Sequence, residues 1–206
     1  MKNPNKEGIL KYTLDGTLPT NESETFTTQI PITENTVVNS AIFNNGKISS
    51  GVAEGFFRIK SRVLEKPVTV EVFYMANLSF IPALGSKKPD VVSGTFEITS
   101  EEVKELVKSN TVFRFKSWLE IEEKGNYQFS TRSDDGSTLF IDGELVVDND
   151  GDHGVREKNG SLDLDKGLHA IEVQWFNGGG DGWLDVFMQS ERMPKQPLST
   201  NLLRKK

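Results

Sequence analysis

The stretch SDDGSTLFIDGELVVDNDGDHG, residues 133–154, decides how this chain is read. It holds six aspartates and one glutamate, punctuated by glycines and set between short alternating apolar runs. Asp-Gly pairs begin at Asp135, Asp142 and Asp150, and such pairs favour the positive φ angles of tight hairpin turns. The stretch reads as strands joined by turns. Its carboxylates have three open readings: a catalytic pair, a metal site, or turn residues that accept backbone amides.

The same punctuation extends in both directions. Further Asp-Gly pairs begin at Asp15 and Asp181, and Asn-Gly pairs at Asn45, Asn159 and Asn177. Between them run period-two segments: Phe113, Phe115, Leu119 and Ile121 share one face, as do Ile171, Val173 and Trp175, and Leu184, Val186 and Met188. Arg114, Lys116 and Glu120 point the other way. Alternation with one wet face predicts antiparallel sheets. One segment, TSEEVKELVKSN, predicts a helix, with Thr99 and Glu102 at capping-box spacing and Val103, Leu106 and Val107 on one face.

The chain divides near residues 60–67, where IKSRVLEKP reads as a charged linker ending at Pro67. Strands at roughly 9–14, 25–30, 36–43 and 52–59 make a small sandwich-like unit before it. A second set begins with VTVEVFYM. The expected layout is a first domain over 1–62, a second over 63–192 and a tail over 193–206, with LLRKK as a solvated basic end. Ten of the twelve aspartates fall between Asp134 and Asp185, which marks a specialised edge of the second domain, because a short carboxylate suits turns and fixed ligand geometry.

Composition removes several classes of function. A net charge of −6 argues against a nucleic-acid partner, since phosphate binding needs a basic surface. No run of 18 apolar residues is present, so no membrane insertion is expected. Without cysteine there are no disulfides or thiolate metal sites. Met1 is followed by KNPNKEG and then at once by the strand-like ILKYTL, with no leader pattern, which is expected of a piece cut from a longer chain.

Two resemblances sharpen this. YTLDGTLPT (12–20), followed by ITENTVVNSAIFNNGKISSGVA, resembles the small immunoglobulin-like domain that follows the catalytic barrel of chitobiases and other β-N-acetylhexosaminidases. It implies a structural spacer, with Asp15 and Gly16 at the turn, Pro19 stiffening the exit and Tyr12 packed inward. The second unit resembles the protective-antigen-type (PA-fourteen) domain over about 67–190. The residues carrying this are Asn126-Tyr127 into a strand, then Ser133-Asp134-Asp135-Gly136-Ser137, then Ile141-Asp142-Gly143. The resemblances imply an all-β chain: a small immunoglobulin-like β-sandwich, then a larger antiparallel β-barrel or sandwich with one short helix.

The resemblance also speaks to the carboxylates. In sugar-binding members two consecutive aspartates joined by a cis peptide hold calcium together with a sugar hydroxyl, and by position Asp134 and Asp135 match them. A second loop supplies an asparagine and then an aromatic residue; here NGGGDGWLD offers Asn177, Asp181 and Trp183. The implied metal ligands are Asp134, Asp135, Asn177 and Asp181, with calcium as cofactor, and the implied carbohydrate contacts are Asp134, Asp135, Asn177 and Trp183. The extra glycines and Asp181 depart from the adhesin pattern. DNDGDHG does not fit an EF-hand, whose glycine stands sixth in the loop, because Gly151 is fourth from Asp148. His153 and His169 read as structural, Trp175 as core, and Trp118 as lying on the wet face of its strand.

Adjacent aspartates on a strand point to opposite faces, and no serine nucleophile has a histidine in a strand–elbow–helix setting, so catalysis is not expected of this chain. The expected function is that of a non-catalytic accessory region of an extracytoplasmic bacterial glycoside hydrolase, best matched by a β-N-acetylhexosaminidase. Its partners are a glycan or polysaccharide and the parent's catalytic domain. The alternatives are a structural module bracing that domain and an adhesion module that binds no sugar.

Overall fold

The computed structural model describes residues 7–58, 65–198 and 200–205, so positions 59–64 of the expected linker lie outside the described residues. The chain forms two units: Met1–Ile59 with Arg192–Pro197, and Lys60–Glu191 with Leu198–Lys206. In the first, strands β1 (Ile9–Thr13), β2 (Glu24–Thr25), β3 (Thr36–Asn44), β4 (Lys47–Ile48) and β5 (Ala53–Phe57) make one antiparallel sheet in the order β2-β1-β3-β4, with β5 also on β3. β3 carries the core through Val37, Val38, Ala41, Ile42 and Phe43, all buried. Asp15 and Gly16 form the expected turn: Gly16 has φ +73°, and Asp15 Oδ1 accepts hydrogen bonds from Thr17 N (3.0 Å) and Oγ1 (2.6 Å).

Two details of this unit differ from expectation. Tyr12 is only half-buried. The strand expected at 25–30 is two residues long, Glu24–Thr25, paired with Tyr12 and Lys11 of β1 and followed by one further bond from Phe26 N to Leu10 O (2.8 Å).

The second unit contains β6 (Val68–Tyr74), β7 (Val91–Thr95), a 3-10 helix (Ser100–Leu106), β8 (Thr111–Ile121), β9 (Gly125–Asp134), β10 (Ser137–Ile141), β11 (Glu144–Asn149), β12 (Arg156–Leu164), β13 (Gly167–Asn177) and β14 (Trp183–Ser190). Then come β15 (Met193–Pro197), which belongs to the first unit, and β16 (Leu203–Arg204), which returns to the second. One sheet runs β11-β10-β13-β8-β6-β7 with β16 on β8, and the other runs β12-β9-β14. The sheets stay separate and form a sandwich, not a closed barrel. Alternation builds the core: Phe113, Phe115, Leu119 and Ile121 of β8, Ile171, Val173 and Trp175 of β13, and Phe129 of β9 are at most 1% exposed. The Phe113 and Trp175 rings stack with centroids 4.8 Å apart, and truncating such an aromatic to alanine costs about 3–5 kcal/mol.

The expected helix is a 3-10 segment with a different cap. Thr99 makes no side-chain cap bond; its Oγ1 donates instead to Leu184 O (3.0 Å), while Glu102 accepts from Phe96 N (3.2 Å). Tertiary bonds have taken the groups that a capping box would use. Asn159-Gly160 is not a turn either, but lies within β12. A Cβ on Gly160 would stand 1.8 Å from Val146 O, so the glycine is there for close backbone approach. Val146 is the extra residue of a β-bulge, since Leu139 pairs with Val147 but Phe140 with Leu145. The last residues are not a loose tail: Leu203 is buried and β16 pairs Leu203 with Leu119 and Arg204 with Trp118.

Candidate functional site

The acidic pair sits where β9 ends. The hydroxyl side of the core holds that end in place: Ser133 Oγ and Ser137 Oγ are 2.7 Å apart, Ser137 donates to Thr131 Oγ1 (2.8 Å), and Asn149 Nδ2 donates to Ser133 Oγ (3.1 Å). All four residues are fully buried, and Arg156 Nε caps the network on Asn149 Oδ1 (2.8 Å). A satisfied polar cluster of this kind locks β9, β10 and β11 together. Period two continues the inward row of β9 from Tyr127 and Phe129 to Thr131 and Ser133, but only the structure shows that these hydroxyls are buried and paired.

The Asp134–Asp135 peptide bond is cis, as the resemblance implies. Trp175 Nε1 donates to Asp134 O (3.1 Å), so a core aromatic fixes the backbone there. Asp135 is 6% exposed, and both its oxygens are engaged: Oδ1 accepts from His153 N (3.3 Å) and Oδ2 from Gly178 N (2.8 Å). Asp134 is more open. Burial raises its pKa above the usual carboxylate value; the neighbouring charges of Asp135 and Asp152 add to this, and that of His153 opposes it.

Asn177, the last residue of β13, is fully buried. Its Nδ2 donates to Lys108 O (3.2 Å) and Gly180 O (3.4 Å), while Oδ1 is buried with no hydrogen-bond partner among the described residues. Two carboxylates and a buried unpaired amide oxygen are the hard-oxygen chemistry that a calcium ion takes. Among the described residues no group of three or more His, Cys, Asp or Glu is arranged for a metal, so the remaining ligands would have to be amide, backbone or water oxygens. Asp181 is exposed, and no described hydrogen bond or ion pair ties it to the other three residues.

Trp183 opens β14 directly across from Asp134 in the β9–β14 ladder. It is 46% exposed, and its Nε1 donates to Asp185 Oδ2 (2.8 Å). Asp185, which the sequence did not single out, is buried and lies beside Thr99 Oγ1 (3.5 Å). Alternation puts it on the face opposite Leu184, Val186 and Met188, so its burial is a finding of the structure.

The loop 148–154 closes against the pair without an EF-hand. Gly151 N donates to Asp150 Oδ1 (2.8 Å), and a Cβ on Gly136 would stand 2.6 Å from Gly151 N, so only glycine fits there. Both ring nitrogens of His153 face carbonyl oxygens, those of Gly154 and Asn149. Trp118 is elsewhere: it lines an open groove of about 600 Å³ on the outer face of the larger sheet, with Lys116, Phe140 and Glu172. His169 lies between Asp142 Oδ2 (2.7 Å) and Asp165 O (2.8 Å).

Residues 66–199 match the model of the PA14 domain. The chain belongs to the PA14 domain family. Residues 1–54 match the chitobiase/beta-hexosaminidase C-terminal domain, in the expected order. Among solved structures, the PA14 sugar-binding domain from an RTX adhesin is 18% identical, with TM-score 0.58 over 68% of this chain and 98% of that one. The PA14 domain of the MpAFP antifreeze protein is 17% identical, with TM-score 0.60 over 72% and 96%. An anti-sigma factor domain-containing protein is 14% identical, with TM-score 0.58 over 97% and 77%, and so spans both units of this chain. No curated protein matches.

Proposed function

We propose that this PA14 domain binds carbohydrate at the Asp134–Asp135 pair, as a non-catalytic accessory region of an extracytoplasmic glycoside hydrolase. The observation that carries the reading is Trp183, half exposed and directly across the ladder from Asp134. An indole beside ionisable carboxylates offers a sugar both an apolar platform and hydroxyl partners. Calcium held by Asp134, Asp135 and Asn177 Oδ1 would supply a positive centre for hydroxyl oxygens. The partnerless Oδ1 supports that ligand set, and Asp181 is left outside it. The match of the first unit to a hexosaminidase C-terminal domain supports a parent β-N-acetylhexosaminidase, with that unit as spacer.

The experiment is a glycan array or affinity gel run in calcium and in EDTA with wild type, Asp134→Asn and Trp183→Ala. Binding is expected in calcium, at about millimolar to tens of micromolar Kd, and is lost in EDTA and in both variants while the fold persists. Hydrolysis of chromogenic N-acetylglucosaminides by the isolated chain, abolished by Asp134→Asn, would overturn the non-catalytic reading. Absence of all glycan binding in calcium would leave a bracing module.

A further inference from the structure

Residues 77–81 are fastened to the supports of the acidic pair at both ends. At one end Leu78 N donates to Asn110 Oδ1 (2.9 Å), and Asn110 N donates to Gly178 O (3.2 Å). Leu78 O lies 3.3 Å from the place a Gly178 Cβ would take, and Asp135 Oδ2 lies 3.3 Å from the same point. At the other end Ile81 N donates to both oxygens of Asp150 (2.9 and 3.2 Å), and Asp150 Oδ1 is 2.7 Å from the place a Gly136 Cβ would take. Leu78 and Ile81 also pack on the buried cluster of Phe73, Leu84, Val112 and Phe176. Between these anchors stands Phe80, 64% exposed.

Single exposed apolar residues are ordinary on protein surfaces. This one differs in its setting. Its two anchors contact Gly178, whose N–H holds Asp135, and Asp150, which packs on Gly136 next in the chain to Asp135. Phe80 is thus carried on a braced loop bordering the pair, and Trp183 borders it from β14. Aromatic faces take up the C–H face of a pyranose ring, and a preformed loop presents one with little ordering cost.

We propose that Phe80 is a second aromatic contact for the glycan at this site, meeting the apolar face of a pyranose while the carboxylates engage hydroxyls. The proposal rests on the carbohydrate reading above. It is tested with a glycan that wild type binds on the array in calcium, measured by calorimetry against Phe80→Ala and Phe80→Tyr, with calcium-dependent melting of each protein recorded in parallel. Phe80→Ala is expected to weaken binding about three- to tenfold, Phe80→Tyr to restore it to within about twofold, and the calcium melting shift to be the same in all three. Undiminished binding by Phe80→Ala overturns this proposal alone. Loss of the calcium shift together with binding in Phe80→Ala also overturns it, because the residue would then act through the fold of the loop. Failure of wild type to bind any glycan overturns the carbohydrate reading, and this contact with it.

Discussion

The main-chain N–H of Gly178 donates to Asp135 Oδ2 at 2.8 Å, tying the start of the glycine-rich loop after β13 to the acidic pair at the end of β9. That bond brings together two segments more than 40 residues apart. One residue earlier, Asn177 has a buried amide oxygen with no hydrogen-bond partner among the described residues. An unpaired buried acceptor costs about 1–3 kcal/mol, which a bound cation would recover.

Calcium at a hundred times its Kd should therefore stabilise the domain by about 2.7 kcal/mol, raising Tm on the order of 10 °C. Asp134→Asn should abolish the shift, and Asp142→Asn, in the hairpin turn beyond β10, should leave it intact. Magnesium should substitute poorly because it demands a tighter octahedron. Differential scanning fluorimetry of EDTA-treated protein checks this, and equal melting with and without calcium refutes it.

Gly160→Ala should destabilise the sandwich by about 3 kcal/mol or more, because the methyl group would meet Val146 O at 1.8 Å and neither backbone can yield without breaking a ladder. Gly125→Ala, where the nearest atom is 3.8 Å away, should change stability by less than about 0.5 kcal/mol. Urea denaturation of the two variants separates these outcomes.

His169 should make stability depend on pH. Burial works against its charged form, but the hydrogen bonds to Asp142 and the Asp165 carbonyl, with the two nearby carboxylates, outweigh it and raise the pKa above 6.5. Both ring nitrogens face acceptors, so only the imidazolium satisfies both. A raised folded pKa gives a contribution that is fully present below the ordinary value and lost as pH rises through the folded one. The Tm difference between wild type and His169→Gln should accordingly be largest near pH 5.5 and shrink towards pH 8.5; a difference growing with pH would contradict the assignment.

Asp185→Ala should weaken glycan binding as well as stability, since it frees the Trp183 indole and removes a buried partner of Thr99. A loss of roughly 1–3 kcal/mol is expected in denaturation. Asp185→Asn, which keeps an acceptor for Trp183 Nε1, should recover most of the binding. Binding by Asp185→Ala at wild-type affinity would show that the indole needs no fixing.

Much of this architecture is legible in the sequence, because alternation and turn residues are local. The inward rows of β8 and β13 and the turn at Asp142-Gly143 follow from period two and from positive φ at both turn residues, +50° and +85°. What escapes is set by groups distant in sequence. Thr99 looks like a helix cap, yet its hydroxyl is taken by Leu184 O on β14. Asn159-Gly160 has the composition of a turn, yet it pairs with Ser130 and Phe129 of β9 as the middle of a strand, with Val146 of β11 close against the glycine. At the site, Asp134, Asp135 and Trp183 were visible through resemblance, whereas Asp185 and the Thr131–Ser133–Ser137–Asn149 network were not. Buried polar residues look like surface ones until their partners are known.

The meeting of Val146 and Gly160 reaches beyond local packing. β11 and β12 are each the outermost strand at one end of their sheets, and the bulge of one presses into the other's backbone. Two edges that abut in this way are shielded from pairing with a foreign strand. At the other end of the larger sheet is β7, with Val92 exposed and Lys66 lying across Gly94. A lysine stem on a sheet margin is a common guard against ladder growth between molecules. Association of the second unit through its strand edges should thus be most sensitive at that margin, where the Lys66 stem and the exposed Val92 lie.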